Sequence, residues 1–211
     1  MLCVNLTEIA SIATALGTLA MAFMAGSALR AWRQEFIGKK KIELAAEIME
    51  AVFEVQDLIA LARNPYATEY EIEEVKEWLL AEKIKHPDNV DIYEGRLAYM
   101  VANYRLTKSA DKIDKLMSLF NKGFMYWGIE FMKKIQELQA CIVEIRHASK
   151  WLYYDDMTNL QDQSFKIIYA TSKGNDEFSL KVYGIIEEIQ ANLEPLYRDK
   201  QTKWIKPPKA S

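Results

Sequence analysis

Residues 9–29 read IASIATALGTLAMAFMAGSAL, twenty-one positions without a formal charge between Glu8 and Arg30. At about 1.5 Å of rise per residue, a helix of that length crosses the roughly 30 Å of a bilayer's hydrocarbon core. A buried helix of a soluble protein is the alternative, because seven alanines, two glycines, Ser11, Thr14, Thr18 and Ser27 leave the run only moderately apolar. Length and flanks decide for a membrane span. Gly26-Ser27-Ala28 could pass for a signal-peptide cleavage site, but no Lys or Arg precedes the apolar run, which argues against cleavage. Arg30, Arg33, Lys39, Lys40 and Lys41 follow it, whereas the amino-terminal flank offers only Glu8. The positive-inside rule therefore predicts the amino terminus outside and the body of the chain in the cytoplasm. The same five cations suit anionic headgroups, each contributing on the order of 1 kcal/mol at a charged surface, although most cytoplasmic flanks look alike in this respect.

Around the helix, Ala10, Thr14, Thr18, Ala22 and Gly26 form an i, i+4 ridge of small side chains, widened by Ser11, Ala15 and Ala25. Ile9, Ile12, Leu16, Leu19 and Phe23 gather elsewhere. In lipid a small-residue face serves close packing against another helix, and the chain offers no second span. The partner is expected to be another copy, giving a homo-oligomer. A ring of such helices would turn Thr7, Ser11, Thr14 and Thr18 to a lumen with Glu8 and Arg33 at its mouths. The competing reading is that these hydroxyls bond back to their own helix or across to a neighbour.

The full chain of 211 residues carries 27 Lys+Arg against 30 Asp+Glu, so direct sequence-specific nucleic-acid binding is not expected. Half the residues are hydrophobic, and 8 glycines and 5 prolines are too few for a turn-rich β fold. The expected class is all-α: an N-terminal transmembrane helix with its basic juxtamembrane segment (residues 1–41), a cytosolic helical bundle (42–197), and a basic flexible tail (198–211). In that tail Lys200, Lys203, Lys206 and Lys209 surround Trp204. Cys3 and Cys141 stand alone, which supports neither a disulfide framework nor a zinc cluster.

Past Gly38, Leu44, Ala45, Ile48, Val52, Val55, Ile59 and Ala62 keep helical spacing, with Glu43, Glu47, Glu50, Glu54 and Asp57 on the wet side. Asn64-Pro65 stops this helix. Thr68-x-x-Glu71 reads as a capping box for a helix to about Lys85. Stretches 91–120 and 122–155 are expected to form an antiparallel hairpin turning at Asn121-Lys122-Gly123. Residues 156–175 read as loops around Ile167-Ile168-Tyr169, and a last helix spans about Glu177 to Leu196. Tyr93, Tyr99, Tyr104, Phe120, Phe124, Trp127, Phe131 and Trp151 are expected in the core.

No phosphate loop, dinucleotide fingerprint, zinc-protease pair or nucleophile elbow occurs. Glu144-x-x-His147 places two ligand types on one helical face, but a bundle di-iron site needs the motif twice plus two further carboxylates. Asp155-Asp156 and Glu73-Glu74 read as solvated helix ends before they read as metal sites. No catalytic residue, metal site or cofactor is expected, and the chain is read as a non-enzyme. The arginine-to-histidine spacing of HEPN ribonucleases is also missing. Leu79, Leu80 and Ala81 precede His86 at the required distances, and Ala140, Cys141 and Ile142 precede His147.

Trp32, Phe36-Ile37-Gly38-Lys39, Glu43-Leu44-Ala45, Asp57-Leu58-Ile59 and Ala62-Arg63-Asn64-Pro65 form one group of motifs. Lys166-Ile167-Ile168-Tyr169, Asn175-Asp176-Glu177-Phe178 and Leu193-Glu194-Pro195 form a later one. Together they resemble an uncharacterised bacterial family of small proteins with one amino-terminal span and a helical cytosolic domain. The layout is also similar to the single-span accessory membrane protein of type VI CRISPR systems, which carries an inactive HEPN-like domain. The resemblance implies a single-pass protein of the bacterial inner membrane that perturbs or permeabilises the bilayer in antiviral defence. Its implied partners are the lipid bilayer, copies of itself, and a cytoplasmic protein or ribonucleoprotein. A membrane-tethered module that recruits a protein partner is the second expectation.

Overall fold

The computed structural model describes residues 6–84, 90–154, 161–171 and 174–197. Every element among them is a helix: α1 (Leu6–Ala62), α2 (Glu69–Ala81), α3 (Val90–Lys108), α4 (Ala110–Tyr154), α5 (Gln161–Ile168) and α6 (Glu177–Tyr197). Two compact units result, Met1–Glu43 and Leu44–Ser211, and α1 contributes residues to both. The helix passes through Gly38 without a break. A lone glycine weakens a helix by about 1 kcal/mol but does not end it, and the flanking pairs Lys39–Glu35 (2.8 Å) and Lys40–Glu43 (2.7 Å) sit within one turn of it.

In the second unit α1 buries the predicted stripe Leu44, Ala45, Ile48, Val52, Val55, Ile59 and Ala62. Glu47, Glu50 and Asp57 remain exposed on its outer side. The helix ends at Ala62 because Pro65 disfavours helical geometry at Asn64. Thr68 then caps α2, its Oγ1 accepting from Glu71 N at 3.2 Å. Only half of the expected capping box forms, since the Glu71 carboxylate is held by Arg105. The helix closes at Ala81, earlier than the spacing suggested, in a Schellman turn. Lys83 N donates to Leu80 O (3.2 Å) and Ile84 N to Leu79 O (3.1 Å), with Lys83 in the left-handed region at φ 53°. Ile84 packs on the small cluster built from Val75, Leu79, Leu97, Met100, Val101 and Tyr153.

The hairpin differs from expectation in two places. Ser109 divides the stretch 91–120 into α3 and the start of α4, and Asn121-Lys122-Gly123 is helical. Gly123 serves close packing instead of a turn, for a Cβ there would lie 3.1 Å from Ile48 Cδ1. The non-helical residue is Gly128, at φ 73° and ψ −170°. Before it, α4 runs antiparallel to α1: Lys115 reaches Glu54 (3.1 Å), and Gly123 meets Ile48. After it, the chain comes back along α1. His147 and Ala148 share a cleft with Ser164 and Ile167, and Arg63, at the far end of α1, bonds to Ile167 O. Residues 110–127 and 129–154 are thus two arms with their apex at Gly128.

A short helix, α5, occupies a stretch read from sequence as loop. It is followed by α6, which runs antiparallel to the second arm, as Lys134–Glu188 (2.8 Å) and the Lys181–Glu144 pair require. Of the aromatics assigned to the core, Phe131 is buried and Tyr99, Tyr104, Phe120 and Trp127 are partly so. Phe124 and Trp151 are corrections, being 52% and 49% exposed. The tail 198–211, His86, Asp155-Asp156 and the surroundings of Tyr93 lie outside the described residues.

Candidate functional site

Ala10, Ser11, Thr14, Thr18, Ala22 and Gly26 are all exposed on α1, within the one described helix long and apolar enough to cross a membrane. The hydroxyls are spoken for locally. Thr14 Oγ1 donates to Ala10 O (2.8 Å), Thr18 Oγ1 to Thr14 O (2.9 Å) and Ser27 Oγ to Met24 O (2.8 Å). Back-bonding of this kind hides the hydroxyl protons and leaves methyl groups and small side chains on the surface. Arg30, Arg33, Lys39 and Lys40 are exposed and Lys41 is half-buried. Hydrogen bonding between them lowers the Glu35 pKa and raises that of Lys39. Both groups are solvated, so the pair adds little stability.

The densest polar cluster among the described residues was not singled out from sequence as a site. Arg63 is only 2% exposed, yet all three of its nitrogens are occupied. Nε donates to Ile167 O (2.7 Å), Nη1 to Ser179 Oγ (2.6 Å), and Nη2 to Lys166 O (2.9 Å), Tyr169 O (3.2 Å) and Asp176 Oδ1 (2.8 Å). Its guanidinium also lies 4.6 Å from the Phe178 ring centre. The three carbonyls belong to the C-terminal end of α5, where helix acceptors lack partners and a cation meets the negative end of the dipole. Asp176 is the N-cap of α6, accepting from Ser179 N at 2.9 Å. Burial opposes its ionisation, but bonds from Ser179 N, Arg63, Ser179 Oγ and Thr171 N outweigh that and hold its pKa well below the usual carboxylate range.

A serine beside an aspartate invites a catalytic reading, and the geometry rejects it. Ser179 is buried, and its single proton goes to Asp176 Oδ2 (2.9 Å), a carboxylate already bound to Arg63. The cluster is a clamp. Its counterpart is Arg105, which binds both Glu71 oxygens (2.6 and 2.7 Å) together with Leu61 O, Asn64 O and Tyr66 O. Arg105, on α3, therefore satisfies the carbonyls around the end of α1 and joins it to α2 and α3, while Arg63 joins it to α5 and α6. Motifs 62–65, 166–169 and 175–178 all meet at Arg63, the second through its backbone carbonyls and the third through the side chains of Asp176 and Phe178.

Along the second arm of α4, His147, Lys150, Trp151 and Tyr154 line a groove of about 530 Å³. Glu144 is bound by Lys181, so the Glu144/His147 pair does not present two ligands to one metal. Glu74 is similarly taken by Lys108 (3.1 Å) and Glu73 faces Lys76 (3.7 Å). Among the described residues no three His, Cys, Asp or Glu side chains gather as a metal site. Cys141 is buried, and burial pushes its thiol pKa up, away from nucleophilic chemistry.

No family model matches the chain, and neither a curated protein nor a solved structure matches it.

Proposed function

We propose that this is a non-enzymatic, single-pass membrane protein that self-associates through the Ala10, Ser11, Thr14, Thr18, Ala22 and Gly26 face. It perturbs or permeabilises a bacterial inner membrane when its helical body is engaged, with antiviral defence as the setting. The amino terminus lies outside and the body in the cytoplasm. The supporting observation is the Ile9–Leu29 run, a helical segment of sufficient length whose side chains are exposed, with the hydroxyls of Thr14, Thr18 and Ser27 bonded to its own backbone. That is the chemistry a helix needs in lipid, where an unsatisfied donor costs several kcal/mol. Small side chains then allow backbones to approach.

The test is the mass of the full-length protein in mild detergent together with dye leakage from reconstituted vesicles. Thr18→Leu combined with Ala22→Leu is expected to lower the assembled mass and abolish leakage. Unchanged mass and leakage would refute the self-association face. The second reading, a tethered module that recruits a protein partner, draws on the exposed Val143, Trp151 and Tyr154 beside the α4 groove. It predicts that an unrelated span in place of residues 1–41 preserves function.

A further inference from the structure

Trp32 and Phe36, one helical turn apart on α1, stack with ring centroids 5.8 Å apart and an interplanar angle of 25°. Stacking covers one face of each ring, yet Trp32 is still 62% and Phe36 51% exposed. Isolated apolar side chains on a surface are ordinary, but two adjoining aromatic rings expose a contiguous apolar surface. That surface belongs, with the apolar run, to the compact unit Met1–Glu43 and to one unbroken helix. Its level along the helix is therefore fixed relative to the run.

Trp32 follows Leu29 by three residues, about 4.5 Å along the axis. Helical side chains lean toward the amino terminus, so the Trp32 ring covers the last turn of the apolar run and the Phe36 ring covers the turn holding Trp32. Around them the charge is one-sided. Residues 30–43 carry five cations against two acids, and those acids, Glu35 and Glu43, are held by Lys39 (2.8 Å) and Lys40 (2.7 Å). Arg30 and Arg33 are exposed and have no acidic partner among the described residues.

We infer that the Trp32–Phe36 pair is an interfacial anchor, seated where the acyl chains of the bilayer meet its headgroups, with Arg30 and Arg33 on lipid phosphates. The inference rests on the reading of Ile9–Leu29 as a span, and it sets the depth of that span. An indole favours the boundary where its body is apolar and its N–H is wet, and a guanidinium binds phosphate through paired donors. A second copy fits this surface less well. Eighteen residues, five helical turns, separate Thr14 from Trp32 and Thr18 from Phe36, so the rings share a face with the small-residue ridge. Small side chains let two backbones approach, whereas two large rings hold them apart, and Arg33 would meet its own copy at like charge. Helices joined at Thr14 and Thr18 therefore diverge before Trp32, and lipid fills the space between them.

Tryptophan fluorescence of the full-length protein in phosphatidylcholine/phosphatidylglycerol vesicles tests this, with lipids brominated either beside the headgroup or near the chain end as quenchers. The Trp32 signal is the difference between the wild type and Trp32→Phe, a change that keeps a ring beside Phe36. Leu19→Trp on the Trp32→Phe background puts a reporter at the middle of the apolar run, and circular dichroism checks each fold. Bromine beside the headgroup is expected to quench the Trp32 signal several-fold more than bromine near the chain end, with the order reversed at Leu19→Trp. Equal or reversed quenching at Trp32 would overturn the inference. A Trp32 signal untouched by either lipid, with Leu19→Trp quenched, would overturn it and leave the span reading standing. In that case, shielding of Trp32 from aqueous acrylamide as well would assign the rings to a contact between copies. Quenching at neither position would remove the span reading and this inference with it.

Discussion

Arg63 Nη2 donates to Asp176 Oδ1 across 2.8 Å, joining residues 113 positions apart in the chain. The bond ties the end of α1 to the beginning of α6 inside a site where Arg63 is almost wholly shielded from water. Removing one partner strands the other. Arg63→Met is expected to destabilise the body by about 3–5 kcal/mol, as for other broken buried pairs. With Asp176→Asn added, the loss should be clearly less than additive, since the two side chains share one network. Urea unfolding of the full chain in detergent, run as a double-mutant cycle, measures this.

The same pair sets a pH dependence. Hydrogen bonds depress the Asp176 pKa in the folded state, so its contribution is fully present above the ordinary value of 3.8 and declines as pH falls below it. Wild-type protein should therefore lose stability relative to Asp176→Asn between pH 4 and about pH 2. A constant difference across that range would show that the carboxylate's charge is not what matters.

Three glycines separate backbone effects from packing. Gly128 sits at φ 73° and ψ −170° with nothing within 4 Å of a notional Cβ. Gly128→Ala should cost about 1–3 kcal/mol through backbone conformation alone. Gly184, inside α6, also has open space around it but no positive φ, so Gly184→Ala should stabilise by about 0.5–1 kcal/mol. At Gly123 an alanine would press Ile48 Cδ1 at 3.1 Å, and the added cost of Ile48→Val or relief by it reads the packing directly.

Lys83 is an exposed non-glycine residue at φ 53°, in the C′ position of the turn that ends α2. Left-handed geometry costs an L-residue roughly 1–2 kcal/mol, so Lys83→Gly should raise stability by about 1 kcal/mol after the unfolded-state entropy of glycine is subtracted. Thermal unfolding would register it as an upward shift of the midpoint.

Cys141 should resist alkylation while the protein is folded. It is buried and its pKa is raised by that burial, so iodoacetamide at pH 8 is expected to modify it only in denaturant. Peptide mass spectrometry of native and denatured samples gives the comparison.

The helical class, the stripe from Leu44 to Ala62 and the stop at Asn64-Pro65 were legible because periodicity and proline geometry act locally. The apex of the hairpin was not. Gly123 and Gly128 look alike in sequence, and only Ile48, seventy-odd positions away, distinguishes the glycine needed for contact from the one needed for its dihedral angle. Eight-residue α5 escaped notice for a related reason, being too short to declare a period, and its carbonyls are completed by Arg63 from a distant segment. Phe124 and Trp151 kept helical spacing yet face outward, since spacing places a residue on a stripe without saying what covers it. Arg63 was read only as part of a motif. A charge at the end of an amphipathic helix ordinarily reads as surface, and its acceptors lie more than a hundred residues downstream.

That separation has a meaning in time as well as space. A ribosome delivers α1 first, and the guanidinium at its end has no acceptors until residues 166–179 have emerged. While translation proceeds, the far end of α1 must remain hydrated, and the core around it cannot close. Completion of the body therefore waits on the delivery of α5 and the start of α6. A chain truncated before Lys166 would leave the factory with its central charge unanswered, marking it for the proteases that patrol unfinished proteins.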